Sequence, residues 1–210
     1  MGSTRAYGGV SAEQRRDRRR AALLDAALQI VGEGGFARLT VAGLCAAAGL
    51  NERYFYENFT GLDDVAVQVF ERVVAELGAH ILDAVTAAPD DSRAKSRAAV
   101  AAAVDILLDD PRKSRVVFVE TLTHPTLGTR RTEFMRTFVA LMLGEAHRFY
   151  GPETSRRVGT QAEFAAWHLV GGLFETMNGW ISGELRITRA ELIDRSAEMF
   201  VLVGDHLAES

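Results

Sequence analysis

The stretch LTVAGLCAAAGLNERYFYENFTGLDDVAVQVF, residues 39–70, starts a helix three times and turns on small residues between the starts. Thr40 can open the first helix, because its hydroxyl accepts from backbone N–H groups that have no partner in a first turn. Leu39 and Leu44 have the spacing of a hydrophobic staple across that start. Gly49 stops the helix. Asn51 can cap the next one, where Leu50 and Phe55 repeat the staple spacing, and Thr60 with Asp63 marks a third. Upstream, Leu24, Ala27, Leu28 and Val31 form one apolar stripe of a helix that starts near Arg18 and ends at Gly34 and Gly35. Short helices turning this often bury their apolar faces only against one another. Small side chains at Cys45, Ala46 and Ala47 permit a close crossing, and Gly49 permits a left-handed turn. The layout is a helix-turn-helix, the arrangement whose second helix enters the major groove of DNA. Helix–Gly–helix corners are common, so spacing alone leaves a plain corner open.

On the helix after Asn51, Phe55 and Phe59 share one face, with Leu50 as a lid. Tyr54 and Tyr56 then lie about 100° to either side of Phe55 and can present their hydroxyls outward. Asn51 and Arg53 sit at the positive end of the helix. Net charge is −4, which in bulk argues against a nucleic-acid partner, yet the first twenty residues hold six arginines against Glu13 and Asp17. Distribution matters more than the sum. Residues 1–17 are expected to form a flexible basic arm. Arg15, Arg16, Arg18 and Arg19 are candidate DNA contacts, with a solvated helix start as the plain alternative.

The rest of the chain has few strand signals. Pro89, Pro111, Pro125 and Pro152 mark breaks between helices expected at about 63–87, 93–109, 112–122, 127–149, 154–184 and 188–207. The fold expected is all-α with about nine helices: the arm at 1–17, a three-helix DNA-binding domain at 18–66, and a larger helical effector-binding and dimerisation domain at 67–210. Cys45 is the only cysteine, so an internal disulfide is impossible, and it reads as a small buried residue. The five histidines form no metal-ligand pair, and no catalytic constellation stands out; neither a metal, a cofactor nor an enzyme activity is expected. The chain lacks an apolar run long enough to span a membrane and lacks a secretory leader, so a cytoplasmic protein is expected.

Apolar bulk in the C-terminal half belongs to an ordinary core or to a cavity for a hydrophobic small molecule. Candidate cavity residues are Phe118, Leu122, Phe138, Met142, Trp167, Phe174 and Met177, since adaptable methionine beside aromatic walls suits such sites. Glu120, Thr121, His124, His168, Glu175 and Asn178 could orient a ligand. Ala165, His168, Gly172, Glu175 and Gly179 recur at helical spacing as a small, polar stripe. It reads as a homodimer seam, with cavity lining as the competing reading.

LLDAALQIVGEGGFARLTVAGLCAAAGLNERYFYENFTGLDDV resembles the N-terminal domain of TetR-type transcriptional regulators. The resemblance covers roughly residues 20–70, with Ala26-Ala27, Gly35-Phe36, Thr40-Val41, Ala48-Gly49, Phe55-Tyr56 and Phe59 in register. It implies phosphate contacts from Thr40 and Tyr56, with Asn51 in place of the common Ser. It also implies that Arg53 and Tyr54 reach base edges. Leu62 stands where the family usually has Lys, and Glu52 where a basic or neutral residue is common; both shift DNA affinity toward the arginines. The function implied is a homodimeric regulator of a pseudo-palindromic operator in double-stranded DNA, a repressor released by a small hydrophobic effector. The rival reading is an all-α small-molecule-binding protein or enzyme whose corner does not bind DNA.

Overall fold

The computed structural model describes residues 11–209, and every regular element among them is helical. The chain divides after Val69 into two compact units, where the sequence suggested a boundary at 66.

In the N-terminal unit, α1 (Ala12–Gly34) opens on a capping box. Ser11 Oγ accepts from the Gln14 N–H at 3.0 Å, and Gln14 Oε1 accepts from the Ser11 N–H at 3.0 Å. Residues 12–17 are therefore helical, which corrects the expected flexible arm; its remaining portion, residues 1–10, lies outside the described residues. The reason is the Ser11-x-x-Gln14 signature, whose reciprocal bonds satisfy two orphan donors and extend the helix a turn and a half upstream of Arg18. Leu23, Leu24, Ala27, Leu28 and Val31 are its buried face. Gly35, at φ 81°, ends it and donates to the Val31 carbonyl at 2.8 Å.

A 3-10 turn (Phe36–Arg38) leads to α2 (Val41–Ala48), capped by Thr40. Gly49 follows at φ 66°, a conformation that costs other residues steric strain. Then α3 (Glu52–Tyr56), only 5 residues long, is capped by Asn51. The third start leads into α4 (Leu62–Ala87). At that start Asp64 accepts from the Thr60 N–H at 2.9 Å and from the Thr60 hydroxyl at 3.2 Å.

The C-terminal unit contains the remainder of α4, then α5 (Ser92–Leu108), α6 (Pro111–Ser114), a π-helical turn (Arg115–Glu120) and α7 (Thr121–Thr123). α8 (Pro125–Ile181) is broken at Gly151 (φ 84°, ψ 167°) beside Pro152, and again at Gly159. The first break is the one expected between residues 149 and 154. α9 (Arg189–Glu209) closes the chain. α5 and α9 pack antiparallel, a register pinned by Arg97 to Asp194 at 2.8 Å and Arg189 to Asp105 at 2.5 Å. Alanines along α5 allow this approach, and Val100, Val104 and Leu107 bury among Leu192, Ile193, Ala197 and Val201.

Candidate nucleic-acid interface and apolar cavity

Phe55 has no exposed surface, and Phe59 is 3% exposed. Their ring centroids lie 5.7 Å apart. This anchor fixes the roll of α3. Asn51, Glu52, Arg53 and Tyr56 face solvent, and Tyr56, at 65% exposure, stands edge-on to Phe55. Thr40 is also exposed; its Oγ1 accepts from the Gly43 N–H at 3.0 Å, which leaves its own O–H to donate outward. Tyr54 departs from the symmetrical display expected of the two phenols. It is half-buried, with the Arg19 guanidinium 4.4 Å over its ring.

The α1 arginines divide by helical phase. Arg16, Arg19 and Arg20 lie at i, i+3, i+4 and turn toward α3 and the start of α4. Arg16 donates to the Glu57 carbonyl at 2.8 Å and to Asn58 Oδ1 at 3.4 Å. Arg19 pairs with the Glu57 carboxylate at 3.8 Å. Arg20 donates to Gln68 at 2.5 Å, which in turn donates to Asp64 at 2.6 Å. Arg18, about 100° round the helix from Arg19, is exposed, and Arg15, exposed too, stands one turn before Arg19. Of the four arginines expected to reach DNA, Arg16 and Arg19 hold the exit of α3. A continuous helix fixes their direction, where a flexible arm would not. Glu57 is the hub: Arg53 pairs with it at 2.9 Å, as their i, i+4 spacing allows, and its links to Arg16 and Arg19 are what sequence reasoning missed. Arg53 remains 83% exposed, so that pair contributes little and yields easily to a better partner.

Burial opposes ionisation of Asp64. Hydrogen bonds from Thr60 and Gln68, with the positive charge of Arg20, outweigh it and hold the carboxyl below its usual range. Burial, and then the charge of Glu52, raise the Cys45 thiol, which stays protonated in its 3%-exposed site. Among the described residues no group of His, Cys, Asp and Glu is placed to hold a metal ion, and no helix is long and apolar enough to cross a membrane.

The C-terminal unit encloses a cavity of about 230 Å³ with almost wholly apolar walls. Phe118, Phe138, Met142, Phe174 and Met177, all expected from sequence, line it. At its buried end the Phe118 and Phe174 rings are 4.7 Å apart, with Phe134 at 6.1 Å from Phe174. Leu122 and Trp167 do not line it and are 65% and 37% exposed. Leu122 follows Phe118 by four, which in an α-helix would share its face. Phe118 lies inside the π turn and Leu122 in the short α7 that follows it. Trp167 sits a turn before Val170, where the second half of α8 first reaches the cavity.

None of the six expected ligand-orienting polar residues lines the cavity. Buried Glu120 accepts from Arg115 at 3.0 Å, Thr121 donates to the Val117 carbonyl at 2.8 Å, and Glu175 pairs with Arg131 at 2.8 Å. The cavity's polar groups are instead Ser92, Lys95, Ser96, Glu145 and Tyr150. In the small-residue stripe of α8, His168, Gly172 and Glu175 are exposed, and Ala165 and Gly179 half-buried. Beside it Phe164, 73% exposed, stacks on His168 with centroids 6.4 Å apart.

Residues 23–69 match the family model of bacterial regulatory proteins, tetR family. No curated protein sequence matches the chain. Among solved structures, the fatty acid degradation regulator FadR from Bacillus halodurans is 19% identical, with a TM-score of 0.69, over 89% of this chain and 94% of that one. FadR from Bacillus subtilis in complex with stearoyl-CoA is 16% identical, with a TM-score of 0.68, over 88% and 97%. A tetR-family transcriptional regulator from Streptomyces coelicolor is 15% identical, with a TM-score of 0.70, over 92% and 87%. At these identities the likeness is one of fold.

Proposed function

We propose, from a chain that carries the N-terminal DNA-binding domain of the TetR family, that it is a sequence-specific regulator of transcription acting in the cytoplasm as a homodimer. The observation that carries this reading is α3 itself, seated on Phe55 and clamped by Arg16 and Arg19 while Arg53 and Tyr56 face outward. Thr40, Asn51 and Tyr56 meet phosphates, with Arg15 and Arg18 adding charge alongside. Arg53 reads a base edge, the commonest specific pairing of a guanidinium being with guanine. Tyr54, held beneath Arg19, offers its outer edge to base or sugar. The stripe Ala165, His168, Gly172, Glu175 and Gly179, next to exposed Phe164 and Trp167, receives a second copy, and the pair reads two half-sites of a pseudo-palindrome.

The protein acts as a repressor, as the family likeness suggests, and a small hydrophobic molecule in the C-terminal cavity releases it from its operator. The enclosed apolar walls support this, as does the acyl compound bound to one structural relative. Release requires the ligand to prefer the non-binding state, a coupling of about 1–3 kcal/mol in typical cases. A gel shift on the DNA upstream of its own gene tests the reading. Specific binding is expected from the native protein, with loss in Arg53→Ala and weakening in Tyr56→Phe. Failure to bind any duplex at low salt would favour an all-α small-molecule-binding protein or enzyme.

A further inference from the structure

The cavity is graded along its length. Its inner end is closed by Leu107, Phe118, Phe174 and Met177, all buried. The other end is where α5 begins and where the first half of α8 runs out at Gly151. The antiparallel register of α5 and α9 brings the last turns of α9 to the same end, where Tyr150 closes against Gly204. There the walls change character. One stripe of α5 reads Ser92, Lys95, Ser96, then Ala99, Val100 and Ala103, all lining the cavity. Glu145 and Tyr150 line it from α8, and the exposed lining residues Leu82 and Phe149 mark this end as the mouth.

The charges at the mouth are not equivalent. Glu145 is paired at 3.0 Å with Arg148, one turn on along the same helix, whose side chain is 67% exposed. The Tyr150 hydroxyl donates to Asp205 at 2.8 Å, which turns that carboxylate away from a ligand. Lys95, with its side chain only 27% exposed, pairs at 3.0 Å with Asp90, which stands before α5 and is 90% exposed. A carboxylate so fully in water holds its partner weakly. An anion that enters with an apolar body displaces Asp90 and gains a less hydrated cation, with two hydroxyls beside it.

We infer that the effector is an amphipathic molecule whose apolar body fills the cavity and whose anionic head, a carboxylate or a phosphate, is held at the mouth by Lys95 with Ser92 and Ser96. The inference rests on the cavity being the effector site. Apolar burial supplies most of the affinity, and Lys95 supplies the choice of head.

Calorimetric titration of the full-length protein with four twelve-carbon probes, each below its micelle concentration, tests it: dodecanoate, dodecyl phosphate, dodecanol and dodecylamine. At least one anion is expected to bind about ten-fold more tightly than dodecanol, a gap of about 1.4 kcal/mol, and dodecylamine more weakly. Comparing the two anions identifies the head. Lys95→Met is expected to erase the anion preference while leaving dodecanol binding in place. If thermal melting shows that this variant is unfolded, Lys95→Gln serves in its place. The assignment falls if dodecanol matches both anions, if dodecylamine binds best, or if the preference survives loss of Lys95. Binding of none of the four removes the cavity as an effector site altogether. Lys95-dependent anion binding that leaves the gel shift unchanged sinks ligand-driven release and keeps the head-group assignment, whereas failure of the protein to bind any duplex sinks the regulator and leaves that assignment standing.

Discussion

At the scale of single residues, the two sides of α3 have separate duties, and substitutions separate them. Phe55 is fully enclosed, so Phe55→Ala leaves a void and is expected to destabilise the N-terminal unit by about 3–5 kcal/mol, read by denaturant titration. Arg53 and Tyr56 are exposed, and changing them leaves that midpoint in place. Arg53→Ala is expected to cost about 1–3 kcal/mol in operator affinity and to relax selectivity at one base position, measured on single-base operator variants. Asp64 adds a pH dependence. Its folded pKa is depressed, so its contribution to stability is present above the ordinary carboxylate range and is lost as pH falls through the folded value. Asp64→Asn is expected to flatten the acid side of the stability profile. Phe55, Phe59 and the cap residues were legible because helical phase alone separates inside from outside. The unequal fates of Tyr54 and Tyr56 were not, because Arg19, more than thirty residues upstream, decides which phenol is covered.

Elements carry the next level. α1 braces α3 through Arg16 and Arg19, and on the proposed reading its exposed arginines also supply charge to DNA. Arg18→Ala, or Arg15→Ala, is expected to flatten the salt dependence of operator binding by about 0.9 per lost phosphate contact, hence about 1.8 per dimer. Arg16→Ala and Arg19→Ala are expected instead to lower the melting temperature of the N-terminal unit, since their partners are Glu57, Asn58 and the Tyr54 ring. Equal effects of all four on the salt slope would contradict this division. The true start of α1 was legible, because Ser11 and Gln14 spell a capping box. With the start at Ala12, the phase of the arginines follows directly. The π turn was not legible: nothing in RVVFVE marks i→i+5 bonding. The break of α8 was, because Gly151-Pro152 permits few other conformations.

For the whole molecule, the effector reading makes a linked demand. A ligand that binds the native cavity must raise the thermal midpoint, by about 2.7 kcal/mol of stabilisation at one hundred times its dissociation constant. The same ligand must loosen operator binding in the gel shift. Stabilisation without release would assign the cavity a storage or carrier role. The cavity's aromatic end could be read from bulky residues at helical spacing. Its polar mouth could not, because Ser92, Lys95, Glu145 and Tyr150 come from helices whose juxtaposition depends on the α5–α9 register. The π turn at Arg115–Glu120 has one more implication. A widened turn amounts to a single residue inserted into a helix, and Phe118, inside it, forms part of the cavity wall. Loss or gain of one codon there re-indexes which side chain meets the ligand while the neighbouring helices keep their own sequence. On the effector reading, ligand preference can therefore change with a one-residue insertion or deletion there, without the substitutions at several sites that an unbroken helix would demand.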